Sequence, residues 1–358
     1  MRLSLRRFRL TKAVPLAISR GSTAAVEHLV VQLDHDGSRG LGETGGFDTG
    51  HRAYDTDAIA AELEALAPRL EGLEPQPLQA LEPLLASLSP PARCGLDLAL
   101  HDWWGQRWNQ PLHRLWSLDP SACVATTVTL GLGEPSAVLA RLERWRLQLP
   151  ATRIKLKLGS PDGSEHDRAL VQAVRGALRP GDLLQVDANG GWDLATAHAM
   201  IPWLAEQGVA LVEQPLAPLN DAAADTAGFA ALRGVAPIPL IADESCWDLA
   251  DLLRLAPHVD GINIKLVKCG GLGEGLLMAR TARRLGLGVM LGCYSDGGLL
   301  NSAGAQLLPL VRWPDLDSHL NLLDDPYEGP ERQGDVLRPS PRPGLGSQAL
   351  PLANREVS

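Results

Sequence analysis

The chain has 358 residues, 45% of them hydrophobic and 21% charged, a globular composition long enough for one large barrel or two domains. Its net charge of −9 leaves no basic footprint for nucleic acid and no attraction to an anionic membrane. No apolar run is long enough for a bilayer span, no apolar core follows Arg6-Arg7 as a signal peptide requires, and Cys94, Cys123, Cys246, Cys269 and Cys293 form no Cys-x-x-Cys pair, so a reducing cytoplasm is expected, without disulfide or zinc.

Residues 1 to about 45 read as strands. Ala25–Leu33 is β-rich and ends at the turn signal Asp34-His35-Asp36-Gly37, after which Gly40-Leu41-Gly42-Glu43 can finish a hairpin. Thr56–Leu88 has helical periodicity, and Ala92–Trp104 reads as a buried helix. Trp103, Trp104 and Trp108 read as packing. From Cys123 the pattern becomes strand–helix repeats. The expected strands are Cys123–Leu130, Arg153–Leu158, Leu183–Asn189, Ala210–Pro215, Pro239–Ser245, Gly261–Val267, Gly288–Tyr294 and a weaker one at Asp315–Leu320. Eight such units predict a modified (β/α)8 barrel. An open doubly wound sheet is the alternative, but no Gly-x-Gly-x-x-Gly supports it. The expected division is an α+β cap at 1–122, a barrel at 123–322 and a segment at 323–358 that returns toward the cap, with Pro343-Gly344-Leu345-Gly346 running over the surface.

Within the second barrel strand, Ile154, Leu156 and Leu158 alternate with Lys155 and Lys157. Two ammonium groups on one strand face repel, so the pair is either a solvated edge or a functional feature. The next strands decide between these readings. Three of them end in a carboxylate, at Asp187, Glu213 and Asp243, and the sixth ends Asn263-Ile264-Lys265. Chemistry in such barrels lies at the C-terminal strand ends. Oxygen ligands on several rigid strands suit a hard dication such as Mg²⁺, and without one the three carboxylates repel. Strands two and six lie nearly across a closed barrel. Lys157 and Lys265 can therefore take and return a proton α to a carboxylate on opposite faces of the substrate, while a metal neutralises the enediolate. Lys268 reads as a surface lysine or as a partner of Asp243 or Glu244.

The series Lys155-Leu156-Lys157, Asp187-Ala188-Asn189, Glu213-Gln214-Pro215, Asp243-Glu244-Ser245 and Asn263-Ile264-Lys265-Leu266-Val267-Lys268-Cys269-Gly270-Gly271 resembles the enolase superfamily, in its muconate lactonizing enzyme subgroup. The resemblance implies an enolase-type barrel with a capping domain and a site for one Mg²⁺, or Mn²⁺, on Asp187, Glu213 and Asp243. It further implies Lys157 and Lys265 as the acid/base pair, assisted by Lys155, Asn189, Glu244 and Lys268. A homo-oligomer acting on a small molecule is also implied. The mandelate racemase subgroup fits less well, since it uses a His where this chain has Cys293-Tyr294.

Asp315-Leu316-Asp317 is similar to the Asp-x-Asp by which dipeptide epimerases bind a substrate ammonium, and two carboxylates at a pocket rim suit a cation. The implied activity is epimerisation of a dipeptide at its C-terminal α-carbon. The alternatives are a muconate-type cycloisomerase, an o-succinylbenzoate synthase or N-acyl amino acid racemase, and a non-catalytic binding barrel. After strand seven the resemblance brings Cys293, Tyr294 and Asp296 toward substrate, with Asp296 where a Glu is usual. The stretch Ile18-Ser19-Arg20-Gly21-Ser22 resembles the loop that closes over substrate, where Arg20 can meet a carboxylate or simply face solvent.

Overall fold

The computed structural model describes residues 1–351. It opens with an antiparallel sheet in the order β1 (Arg2–Ile18), β2 (Gly21–His35), β3 (Ser38–Gly45). Alternation along β2 buries Leu29, Val31 and Leu33 in a small core, where they join Ile59, Leu63, Leu66 and Leu70 from α1 (Thr56–Leu70). Two short strands, β4 (Phe47–Asp48) and β5 (Ala53–Tyr54), pair ahead of α1. Asp55 caps α1 by accepting from the backbone N–H groups of Asp57 and Ala58. The helix expected to reach Leu88 ends at Leu70 because Gly72 turns the chain at φ +75° and Pro75 and Pro77 offer no N–H. A single 3-10 turn and α2 (Glu82–Leu85) follow.

The helix α3 (Pro90–Trp108) lies under the sheet, buried along most of its length, and α4 (Leu112–Leu115) follows it. The approach is so close that a Cβ on Gly40 would come within 2.0 Å of Ala99 O, which is why this strand carries glycine. Trp103 is buried, whereas Trp108 is 61% exposed, so the packing role expected of Trp108 fails: it stands at the solvent end of α3.

Eight parallel strands then form one sheet in sequence order: β6 (Val128–Leu130), β7 (Arg153–Lys157), β8 (Leu183–Asp187), β9 (Val212–Glu213), β10 (Leu240–Ala242), β11 (Gly261–Ile264), β12 (Gly288–Gly292) and β13 (Trp313–Asp315). The connecting helices are α5 (Pro135–Gln148), α6 (Ser164–Ala177), α7 (Leu194–Glu206), α8 (Ala222–Arg233), α9 (Leu249–Leu255), α10 (Leu266–Cys269), α11 (Leu272–Arg284) and α12 (Gly298–Ala305). The barrel closes where Thr127 N–H donates to Pro314 O at 3.0 Å. Leu211, Ile241, Met290 and Trp313 form a separate apolar cluster contributed by barrel strands and their entrances.

Several strands are shorter than alternation predicts. The first begins at Val128 rather than Cys123, because Thr126 N–H is committed to Asp335 O outside the sheet. The sixth ends at Ile264, and Leu266–Cys269 is a helical turn rather than strand. The eighth runs Trp313–Asp315, upstream of the expected Asp315–Leu320, since the chain turns at Asp317 into a 3-10 turn over Ser318–Asn321.

After the barrel, the hairpin β14 (Glu331–Gln333) and β15 (Val336–Arg338) leads back to the cap. Gly344-Leu345-Gly346 does not run over the surface. Leu345 is buried, and its N–H donates to Asp102 of α3 at 2.8 Å, because a carboxylate inside the cap demands donors. Among the described residues no helix is long and apolar enough to cross a membrane.

Candidate active site

The period of two in β7 turns Ile154 and Leu156 toward the surrounding helices and Lys155 and Lys157 into the barrel. All four are buried, which excludes the solvated-edge reading of the lysine pair. Lys155 Nζ lies 2.6 Å from Glu213 Oε2, 2.6 Å from Asp315 Oδ2 and 3.4 Å from Asp187 Oδ2. Lys157 Nζ reaches Asp187 Oδ2 at 2.6 Å. From the other side, Lys265 Nζ reaches Asp243 Oδ2 at 2.6 Å, and Lys268 Nζ reaches Asp243 Oδ1 at 2.7 Å.

Oxygens of Asp187, Glu213 and Asp243 lie within 4.8 Å of one another, all in buried residues. Burial and then Asp187 push the Glu213 carboxyl up to about 8. Burial opposes ionisation of Asp243 as well, but Lys265 and Lys268 hold it well below the usual carboxylate range. For Lys155 and Lys265 burial also works against charge. Asp315 and Glu213 for the first, and Asp243 for the second, keep both ammonium groups protonated well past their ordinary range. Glu213 Oε2 faces the Lys155 ammonium, and Oε1 accepts from Asn263. Three converging buried carboxylates, one with a raised affinity for protons, fit a hard divalent cation.

Around these groups, Asn189 Nδ2 donates to Asp187 at 3.1 Å and to Glu244 at 3.2 Å. Asn263 Nδ2 donates to Glu213 Oε1 at 2.8 Å. Arg20 of the cap keeps some exposure to solvent but is not free. It donates to Asn189 O at 2.8 Å and Glu244 Oε1 at 3.0 Å. Lys157, Lys265, Asn189, Glu244, Arg20, Cys293 and Tyr294 line one cavity of about 150 Å³, together with cap residues that include Lys12, Phe47 and Asp48. Phe47 stacks on Tyr294 with ring centroids 4.5 Å apart, and Lys265 Nζ sits 4.1 Å over the other ring system of that pair, Tyr294.

Asp315 and Asp317 do not form a common face on one strand. Asp315 ends β13, where Lys155 Nζ and Thr127 Oγ1 both donate to it, deep in the barrel. Asp317 stands at the start of the following turn, accepts Thr129 N–H at 2.6 Å and lines a small adjoining cavity with Lys12, Arg141 and Tyr294. Asp296 is not among the lining residues of the lysine cavity. It is buried near His28 and Glu43 at the seam between cap and barrel.

Asn263 and Phe47 were given no role by the sequence reading. Asn263 stands two residues before Lys265 on the same strand face, so the alternation rule alone could have found it. Phe47 had no local signal beyond following Gly45-Gly46, since its partner is nearly 250 residues away.

Residues 137–351 match the enolase C-terminal domain-like family and residues 3–116 the N-terminal domain of the mandelate racemase / muconate lactonizing enzyme family. The chain is 36% identical over 346 residues to a hydrophobic dipeptide epimerase of Roseobacter litoralis, covering 94% of this chain and 96% of that one. It is 36% identical to another from a Flavobacteria bacterium, over 97% of this chain and 98% of the relative. Its fold matches the dipeptide epimerase of Enterococcus faecalis solved with Mg and L-Leu-L-Tyr, at TM-score 0.87 and 28% identity, over 97% and 98% of the two chains. With both of its domains matched in order, this chain belongs to the mandelate racemase / muconate lactonizing enzyme family, its barrel of the enolase C-terminal type.

Proposed function

We propose that the protein is an isomerase that epimerises dipeptides at the α-carbon of the C-terminal residue by 1,1-proton transfer, with Mg²⁺ (or Mn²⁺) as its cofactor. The observation that carries this reading is the meeting of Lys157 and Lys265 in one small cavity, from strands four places apart, beside a carboxylate triad. One lysine takes the α-proton as the free amine, and the other returns a proton to the opposite face. Asp187, Glu213 and Asp243 would hold the cation, which when bound supplies Lewis-acid stabilisation of the charge developing on the substrate carboxylate. Lys155 offsets the charge of the carboxylates around it, Lys268 fixes Asp243, and Asn189 with Glu244 fixes Asp187 and Arg20. Cys293, Tyr294 and Phe47 shape the wall against the substrate side chain, and Asp317 receives the substrate ammonium, with Asp315 behind it held by Lys155.

The relatives named as hydrophobic dipeptide epimerases support the substrate class. The direct test is deuterium incorporation at the C-terminal α-carbon of L,L-dipeptides in D₂O. Wash-in without racemisation of the N-terminal residue is expected, and a broad dipeptide library without any exchange would end the proposal. One observation favours a second reading, N-acyl amino acid racemisation: Asp315 is already engaged by Lys155 and Thr127, leaving Asp317 alone to meet an ammonium. Faster exchange with N-acyl amino acids than with dipeptides would select it. Asp296 is proposed to act on the substrate only through the seam it occupies.

We likewise propose a cytoplasmic homo-oligomer divided at 1–122, 123–322 and 323–358, of which 352–358 lie outside the described residues. Five unpaired cysteines support the reducing setting, and light scattering of the native protein tests the assembly.

A further inference from the structure

We infer that Arg93 and Asp97, on the cap helix α3, are positioning residues for Lys265 and not for Lys157. This rests on the acid/base reading above. Lys265 is the last extended residue before α10, with φ −125° and ψ 124°. The helix α10 is a single turn, too short to hold its own geometry. It ends at Gly270 and Gly271, with φ +93° and +117°, after which α11 begins. Gly270 N–H and Gly271 N–H both close on Leu266 O at 2.9 Å, but Gly271 sits at the N-cap of α11 and has no side chain with which to cap it.

The cap supplies what is missing. Arg93 Nη2 donates to Cys269 O at 2.7 Å and so holds the end of the α10 turn. Asp97 Oδ2 accepts Leu272 N–H at 2.6 Å and Gly273 N–H at 3.3 Å, doing from 175 residues away what an N-cap side chain ordinarily does. The fit is close. A Cβ on Gly270 would meet Arg93 Nε at 2.0 Å, and one on Gly271 would meet Asp97 Oδ2 at 2.3 Å. His101 Nδ1, 3.3 Å from Asp97 Oδ2, fixes that carboxylate in turn. Within the turn, Cys269 N–H closes back on Lys265 O at 3.0 Å, so displacement of the turn is passed to Lys265.

The loop after Lys157 is held differently. Gly159 N–H and Ser160 N–H donate to Asp167, a residue of the barrel's own α6, at 3.0 and 3.1 Å. Loosening Arg93 or Asp97 therefore acts on one side of the substrate. A misplacement of about 1 Å can cost on the order of a hundredfold in rate.

The experiment measures deuterium incorporation separately from the L,L- and L,D-epimers of one dipeptide that the holoenzyme turns over. Lys265→Ala identifies the epimer whose α-proton faces Lys265, because that exchange is lost. Arg93→Ala and Asp97→Ala are expected to slow exchange from that epimer by about tenfold or more while the other epimer stays within about twofold. Arg93→Lys and Asp97→Asn keep a donor and an acceptor in place and should recover most of the loss. Equal slowing of both epimers, or no recovery by the conservative variants, overturns the inference and leaves the proposed function standing. Wild-type protein that exchanges neither epimer overturns both. If Asp97→Ala does not fold by circular dichroism, the Arg93 pair of variants decides.

Discussion

Lys155 Nζ stands 2.6 Å from Asp315 Oδ2 and joins the second barrel strand to the eighth, both side chains buried. The ammonium is shared with Glu213 and, at longer range, Asp187. Removing it leaves several buried carboxylates facing one another. Lys155→Met is expected to destabilise the protein by about 3–5 kcal/mol, the range for breaking a buried pair from one side. Asp315→Asn added to it should recover part of that loss. Urea unfolding of the single and double variants measures both, and an unchanged midpoint in Lys155→Met would contradict the role assigned to the lysine.

Metal binding should be visible without turnover. Titrating the chelator-stripped protein with Mg²⁺ is expected to raise its melting temperature, with a gain of about 2.7 kcal/mol when the ion is at a hundred times its dissociation constant. Asp187→Asn and Glu213→Gln should each abolish the rise. A rise that survives both substitutions would put the ion elsewhere.

The two lysines should fail separately. Lys157→Ala and Lys265→Ala are each expected to lower epimerisation by about 10²–10⁴-fold, the usual contribution of a general acid or base. Each should retain exchange from one epimer only, and the retained epimers should be opposite. Proton NMR in D₂O reads this directly, and identical residual behaviour in the two variants would remove their complementary roles.

Asp102 gives the stability a pH dependence. Burial pushes its carboxyl from an ordinary 3.8 up to about 6, despite the N–H groups of Leu345 and Leu41 that it accepts. A folded value above the unfolded one means that this contribution is fully present below about pH 4 and is lost as pH rises through 6. The full loss is about 3 kcal/mol. In Asp102→Asn the unfolding free energy should lose this decline between pH 4 and 7 relative to wild type. Parallel pH profiles of the two proteins would show that Asp102 does not titrate in this range.

Much of the site was legible because the barrel turns a linear rule into a spatial one. Strand ends of a parallel barrel share one rim, so Asp187, Glu213 and Asp243, each closing an apolar run, had to converge. Alternation alone put Lys155 and Lys157 on one face, and the order of strands alone put Lys265 four strands away. Those inferences need only local periodicity and a closed topology, and both are written in the residues.

What tertiary structure decided lies where distant segments meet. The turn after Lys265 meets Arg93 and Asp97 of the cap, contacts that no local propensity encodes. Asp315 is engaged by Lys155 rather than facing a rim because β6 and β13 close the barrel and bring Thr127 and Lys155 to it. Phe47 lies on Tyr294, and Arg20 binds Glu244, because the cap folds over the mouth of the barrel. The sequence by itself determined which candidate groups stand at the strand ends; their partners across the molecule follow from packing between segments hundreds of residues apart.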